Sequence, residues 1–161
     1  MAIYIGSLSG PRLAKAIGIG VATAIILAVI NVIALHSHVS PLPKPLGLAF
    51  AETVFGRALP LPLGLLFHVA WVTFFSVAYV VLWPDALTLR NALLLAAALW
   101  LLVMIVFFPI VGWGFFGLAV SPKLIIPTTV SHLLFAVILW GLARLLLQPS
   151  APGITEPGAS G

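Results

Sequence analysis

The sequence predicts an all-α fold, namely a polytopic membrane protein built as a four-transmembrane-helix bundle. Hydrophobic residues make up 63% of its 161 residues and charged residues only 6%, whereas about a quarter of an ordinary soluble domain is charged. The apolar residues form four long blocks rather than an alternating pattern, and such blocks suit helices that face lipid or one another. Proline and glycine separate the blocks and so mark the approximate ends of each span.

The first predicted span covers residues 13–35, and a helix of that length rises ~34 Å at ~1.5 Å per residue, enough to cross a hydrocarbon core about 30 Å thick. Residues 36–45 contain three prolines, which cannot continue a helix, so a loop follows. Residues 46–59 then predict a short interfacial helix. Its apolar side chains recur at helical spacing, at Leu46, Phe50, Val54 and Ala58.

Residues 62–83 and 89–109 form the second and third predicted spans, and the short turn between them predicts an antiparallel hairpin. The stretch FPIVGWGFFG ends the third span, because its proline and three glycines disfavour a helix. The fourth span covers residues 121–147 and completes one transmembrane domain, residues 1–147. The Pro-, Gly- and Ser-rich residues 148–161 predict a flexible tail.

Spans two and four have similar sequences, which is compatible with an internal duplication. His68 is followed by Trp71 and Phe75, and His132 by Phe135, at helical spacing. A duplication predicts two helical hairpins related by a pseudo-twofold axis along the membrane normal. Chance similarity between apolar segments is the alternative.

The ionisable residues exclude several classes of function. Seven Lys and Arg are spread over the connecting segments and form no stripe that follows phosphates, so nucleic acid is not an expected partner. The chain has no cysteine, which excludes disulfides and thiolate ligands. Its three carboxylates, Glu52, Asp85 and Glu156, all lie outside the spans. The sequence therefore shows no catalytic carboxylate pair or Ser-His-Asp set and predicts no enzyme.

The basic residues favour one orientation in the membrane. Arg12 and Lys15 directly precede the first span, and positive charge at that position is typical of the cytoplasmic side. With the N-terminus inside, the inner side also holds Arg90 and Arg144, and the outer side holds Lys44, Arg57 and Lys123. The sequence thus predicts a multi-pass protein of the cell membrane with both termini cytoplasmic.

All four histidines fall toward the predicted outer side. His68 and His132 lie early in spans that run in the same direction, roughly 10 Å below the outer surface at ~1.5 Å per residue. An ionisable side chain inside a membrane is expensive and usually faces the bundle interior. Two facing histidines are the axial arrangement of a buried b-type haem, and imidazole also binds transition metals. The alternative is structural, with each histidine donating to a carbonyl or hydroxyl of a neighbouring helix.

Three further polar side chains near the same side carry weaker predictions. His36 and His38 are two residues apart in the proline-rich loop and are candidates for a surface copper or zinc site, with unliganded loop histidines as the alternative. Asn31, in the outer third of span one, is the other strongly polar residue well inside a span. It is a structural polar residue that bonds a histidine or a neighbouring carbonyl.

Three motifs of the chain resemble a family of small four-span bacterial and archaeal membrane proteins known as a domain of unknown function. These motifs are LGLLFHVAW around His68, FPIVGWGFFG after span three and SHLLFAVILWG around His132, and the resemblance covers residues 12–147. It implies the four-span fold and topology and brings no reaction or ligand. The His36 and His38 pair and its proline-rich loop look like additions of this sequence.

Several interpretations of function remain open. In the first, the protein is a non-catalytic accessory, assembly or structural subunit of a larger membrane complex, such as a respiratory complex, because catalytic polarity is nearly absent. In the second, it binds haem b or a transition metal through His68 and His132. A small carrier or channel is a third alternative, although no polar pore lining is visible. Expected partners are the lipid bilayer and either other membrane subunits or further copies of this chain.

Overall fold

The computed structural model describes residues 10–147, and their regular secondary structure is helical throughout. The helices are α1 (Gly10–His36), α2 (Leu46–Phe55), α3 (Leu61–Leu82), α4 (Leu89–Ile110) and α5 (Ile125–Leu147). Four segments are long and apolar enough to cross a membrane, namely α1, α3, α4, and α5 together with the single helical turn that precedes it. The predicted all-α four-helix bundle is therefore confirmed. The predicted flexible tail, residues 148–161, lies outside the described residues.

Proline, glycine and threonine set the helix ends. Helix α2 follows Pro45 and ends at Gly56, whose φ of 63° is left-handed and readily adopted by glycine. The interfacial helix is therefore shorter than the predicted residues 46–59. At the start of α4, the Thr88 hydroxyl accepts the backbone N–H of Asn91 at 3.3 Å and caps the helix.

The lateral order of the spans is α3, α1, α5, α4. Helix α1 packs along both α3 and α5, α4 packs along α5, and α2 packs against α3. A short turn joins α3 to α4, but the two helices of this hairpin make few close backbone contacts with each other and pack mainly against other helices. Ala92 and Ala96 are small buried residues of α4 that belong to the bundle core. Among the spans, α4 packs mainly against α5.

The pairs α1 with α3 and α4 with α5 match the two hairpins expected from a duplication. A twofold axis between the hairpins would exchange α1 with α4 and α3 with α5, so the α1–α5 contact would have an equivalent α3–α4 contact. Only the α1–α5 contact is extensive. The duplication itself stays a prediction.

Basic side chains of α1 hold together the end of the bundle at which α1 begins. Arg12 donates to the carbonyl of Pro84, just after α3, and Lys15 Nζ lies 3.4 Å from the carbonyl oxygen of Leu146 in the last turn of α5. Cations stabilise helix C-terminal ends because the unpaired carbonyls there are partly negative. The start of α1 and the end of α5 consequently lie on the same side.

Gly20 is where α1 and α3 approach most closely. A Cβ atom at Gly20 would lie 2.8 Å from Thr73 Cα and 3.1 Å from Ser76 Cβ, whereas a Cβ at Gly18 would meet nothing within 4 Å. Of these two glycines of α1, only Gly20 therefore lies at a helix contact.

The substitution Gly20→Ala should therefore lower the free energy of unfolding by about 1–3 kcal/mol, the usual cost of an overpacked contact. Gly18→Ala in the same helix should be neutral or stabilising, because alanine has the higher helix propensity. Unfolding in mixed micelles with increasing denaturing detergent measures both variants. Equal stability of the two would show that the α1–α3 contact does not depend on Gly20.

Candidate functional site

A cavity of about 200 Å³ lies inside the bundle where α3 and α4 do not pack together. All five helices contribute to its wall, and most of the wall is apolar. The polar side chains on it are few: Lys44 near α2, and Asn31, His68, Thr128, Ser131 and His132 from the spans. A concave, mostly apolar space with a few polar groups is the usual form of a small-molecule site.

Helix α2 covers one end of this cavity. It crosses the start of α3 so closely that a Cβ at Gly64 would lie 2.5 Å from Leu48 Cβ, and a Cβ at Gly47 would lie 2.6 Å from the Gly64 carbonyl oxygen. Leu46, Gly47 and Phe50 of α2 all line the cavity. The interfacial helix is thus part of the site rather than a simple connector.

Glu52 fixes α2 at both ends. Its Oε2 atom is 2.6 Å from Lys44 Nζ, in the loop before α2, and its Oε1 atom accepts the backbone N–H of Leu59, beyond α2, at 3.2 Å. The hydrogen bond from Lys44, then that from Leu59, hold the pKa of Glu52 below its ordinary value of 4.5. We call these two hydrogen bonds the Glu52 clamp. Because the pKa of Glu52 is lower in the folded protein, the stability that the clamp contributes is fully present above the ordinary pKa and is lost as the pH falls through the lowered pKa.

Aromatic rings close the gap between α3 and α4. The ring of Trp71 in α3 lies 4.8 Å from that of Phe107 in α4, centroid to centroid, and Phe50 of α2 is also 4.8 Å from Phe107. Trp71 in turn contacts Phe75 edge-to-face, with 4.8 Å between the ring centroids. We call Phe50, Trp71, Phe75 and Phe107 the aromatic seam.

Phe107 belongs to a π-helical segment, Val103–Phe107, and both of its end residues line the cavity. Such wide turns within helices occur frequently at functional sites. Pro109 follows the segment and has no N–H to donate to the carbonyl of Ile105. That proline was the sequence signal that could have indicated the irregularity.

Both intramembrane histidines line this one cavity, and each bonds to a backbone carbonyl. His68 Nε2 lies 3.2 Å from the Ala24 carbonyl oxygen of α1, and His132 Nδ1 lies 2.8 Å from the Thr128 carbonyl oxygen one turn earlier. A carbonyl only accepts, so these nitrogens carry the protons of the neutral rings. His68 Nδ1 and His132 Nε2 therefore keep lone pairs that accept hydrogen bonds.

Asn31 bonds to a serine rather than to a histidine or a carbonyl. The Ser131 hydroxyl donates to Asn31 Oδ1 at 2.8 Å and so joins α1 to α5 beside His132. Among the described residues the Asn31 amide nitrogen takes part in no hydrogen bond. This amide N–H₂ remains a donor at the cavity wall.

The geometry lends no support to haem or metal ligation. Among residues 10–147 no group of three or more His, Asp or Glu side chains gathers as a metal site. Haem ligation through His68 Nε2 would break its hydrogen bond to the Ala24 carbonyl. The cavity of about 200 Å³ is also small for a haem, since about 150 Å³ holds a single benzene ring. His36 ends α1 and His38, with a φ of 57°, lies in the loop beyond, and both are exposed. A metal at either pair of histidines stays a prediction.

Comparison of the chain with known protein families, characterised proteins and solved structures found no match. The resemblance to a four-span family of unknown function therefore also stays a prediction, and the site has to be interpreted from its own chemistry.

Proposed function

We propose that the protein binds a small membrane-soluble molecule in the cavity between α3 and α4. The observation that carries this proposal is the cavity itself, which unites the two intramembrane histidines and Asn31 in a wall that is otherwise apolar. Intramembrane polar groups are costly and are usually functional. Here each histidine bonds to a carbonyl and still has a second ring nitrogen available, which favours ligand recognition over a purely structural role.

A role as an accessory subunit of a larger membrane complex is the second candidate. It is supported by exposed apolar side chains in the connectors outside the spans, with Val39 78% exposed, Phe115 62% and Leu118 61%. Exposed apolar side chains in connectors favour docking to another membrane protein or a second copy, or insertion among lipid headgroups. The apolar cavity gives less support to a channel, which needs a polar pore lining.

We propose that the protein lies in the cell membrane and is oriented with both chain ends on the cytoplasmic side. Its support is the placement of Arg12, Lys15, Arg90 and Arg144 at the end of the bundle where α1 begins, together with the preference of basic residues for the cytoplasmic side. The cavity, α2 and the Glu52 clamp then belong to the outer half of the membrane.

Bromobenzene tests the binding proposal, because bromine quenches tryptophan fluorescence at short range and Trp71 lines the cavity. Titration of the full chain in nanodiscs should give a saturable quenching component that an excess of unbrominated benzene reverses. Trp71→Phe should remove this component, whereas Trp140→Phe, at the opposite end of the bundle, should retain it. Quenching that rises without saturation, as expected for a probe dissolved in lipid, would refute the proposal.

A further inference from the structure

We infer that the molecule bound in this cavity is a phenol, that is, an aromatic ring bearing a hydroxyl group. This inference rests on the proposed binding function and adds the chemical class of the ligand. It follows from the hydrogen-bonding capacity that the wall leaves unused, from the charges beside the cavity and from its size.

His68, His132 and Asn31 leave two acceptors and one donor unused on the cavity wall. His68 Nδ1 and His132 Nε2 carry lone pairs, and the structure shows no donor to either of them within the described chain. The Asn31 amide supplies the donor. A ligand carbonyl or ether accepts from Asn31 but leaves both imidazole nitrogens without a donor. A hydroxyl donates to an imidazole nitrogen and accepts from the amide through the same oxygen. We assign His132 Nε2 as the acceptor, because Asn31 bonds to Ser131, the residue next to His132.

The charges beside the cavity disfavour an anionic ligand such as a carboxylate or a phosphate. Lys44 is the cation on the cavity wall, and its ammonium group already contacts Glu52 at 2.6 Å. Because Glu52 already neutralises Lys44, an anion within the apolar part of the cavity would find no net counter-charge, and a buried unpaired charge is costly. A neutral hydroxyl needs no counter-ion.

The size and lining of the cavity favour an aromatic ring. An apolar cavity of about 150 Å³ binds benzene, so about 200 Å³ accommodates one ring with a substituent. Trp71, Phe75 and Phe107 of the aromatic seam, with Phe135 opposite, line the space. Such rings pack well against a further ring in offset or edge-to-face geometry.

Three matched probes test the inference on the full chain in nanodiscs at neutral pH: 4-bromophenol, its methyl ether 4-bromoanisole, and bromobenzene. After correction for partition into protein-free nanodiscs, 4-bromophenol should bind about tenfold more tightly than 4-bromoanisole, because the ether leaves the imidazole nitrogen unpaired. His132→Phe should abolish this preference while bromobenzene still binds, which shows that the cavity is intact. The matched control His36→Phe, outside the cavity, should keep the preference.

The outcomes separate this inference from the proposed function. Saturable binding of all three probes with similar affinity would leave the binding function standing and overturn the phenol inference. A preference for 4-bromophenol that survives His132→Phe would overturn the assignment of His132 as its acceptor. No saturable binding of any probe would overturn the proposed function itself.

Discussion

Replacement of Phe108 by alanine should lower the free energy of unfolding by about 3 kcal/mol, within the range for a buried aromatic side chain. Phe108 is 0% exposed and lies at the end of α4. Its ring is 5.2 Å from that of Trp113, and its Cε2 atom would lie 3.1 Å from a Cβ placed at Gly117. The truncation removes the side chain against which the glycine-rich turn folds, and the surrounding backbone is too constrained to fill the space.

Phe115→Ala is the matched control, because Phe115 lies in the same turn but is 62% exposed. Thermal unfolding in detergent, followed by tryptophan fluorescence and by circular dichroism, should show a large loss of stability for Phe108→Ala and a small one for Phe115→Ala. If both variants unfolded like the natural protein, the turn would not depend on this aromatic contact.

The number of spans was predictable from the sequence because lipid imposes a strong constraint. Every backbone polar group in the bilayer must be paired, so long apolar blocks form helices. A block of about twenty apolar residues is long enough to cross the hydrocarbon core. The lateral order of the helices was not predictable in this way. The spans are apolar along most of their length, so no continuous polar face shows which side packs inward. The short turn suggested closer packing of α3 against α4 than the structure has.

The candidate site was partly predictable. Depth follows from position along a helix, which singled out His68, His132 and Asn31, and all three line the cavity. The partners of these residues depend on helix rotation and contact distance, so the bonds to Ala24, Thr128 and Ser131 could not be deduced.

The Glu52 clamp was missed for a related reason. Glu52 bonds to Lys44 and Leu59, which lie on either side of α2 and approach each other only when the loops fold back. The one available signal was that Glu52 is an isolated acidic residue in an outer segment that also contains Lys44.

Filling the cavity should abolish binding without unfolding the protein. Ala28 of α1 lines the cavity, and a phenylalanine at this position would place its ring in the space that a bound aromatic molecule needs. Because the ring enters an existing void rather than a packed contact, Ala28→Phe should leave the midpoint of thermal unfolding unchanged or raise it. The saturable quenching of Trp71 by bromobenzene should disappear, and with it the tighter binding of 4-bromophenol.

Val29→Phe is the matched control, because Val29 is the next residue of α1 and its side chain is 53% exposed on the outside of the bundle. That variant adds a ring to the same helix on the lipid-facing side and should bind both probes as the natural protein does. Retained probe binding in Ala28→Phe would place the binding molecule elsewhere, on the lipid-facing surface. Loss of binding in both variants would point to a general disturbance of α1, whereas loss in Ala28→Phe alone ties recognition to the cavity that α1 shares with His68 and His132.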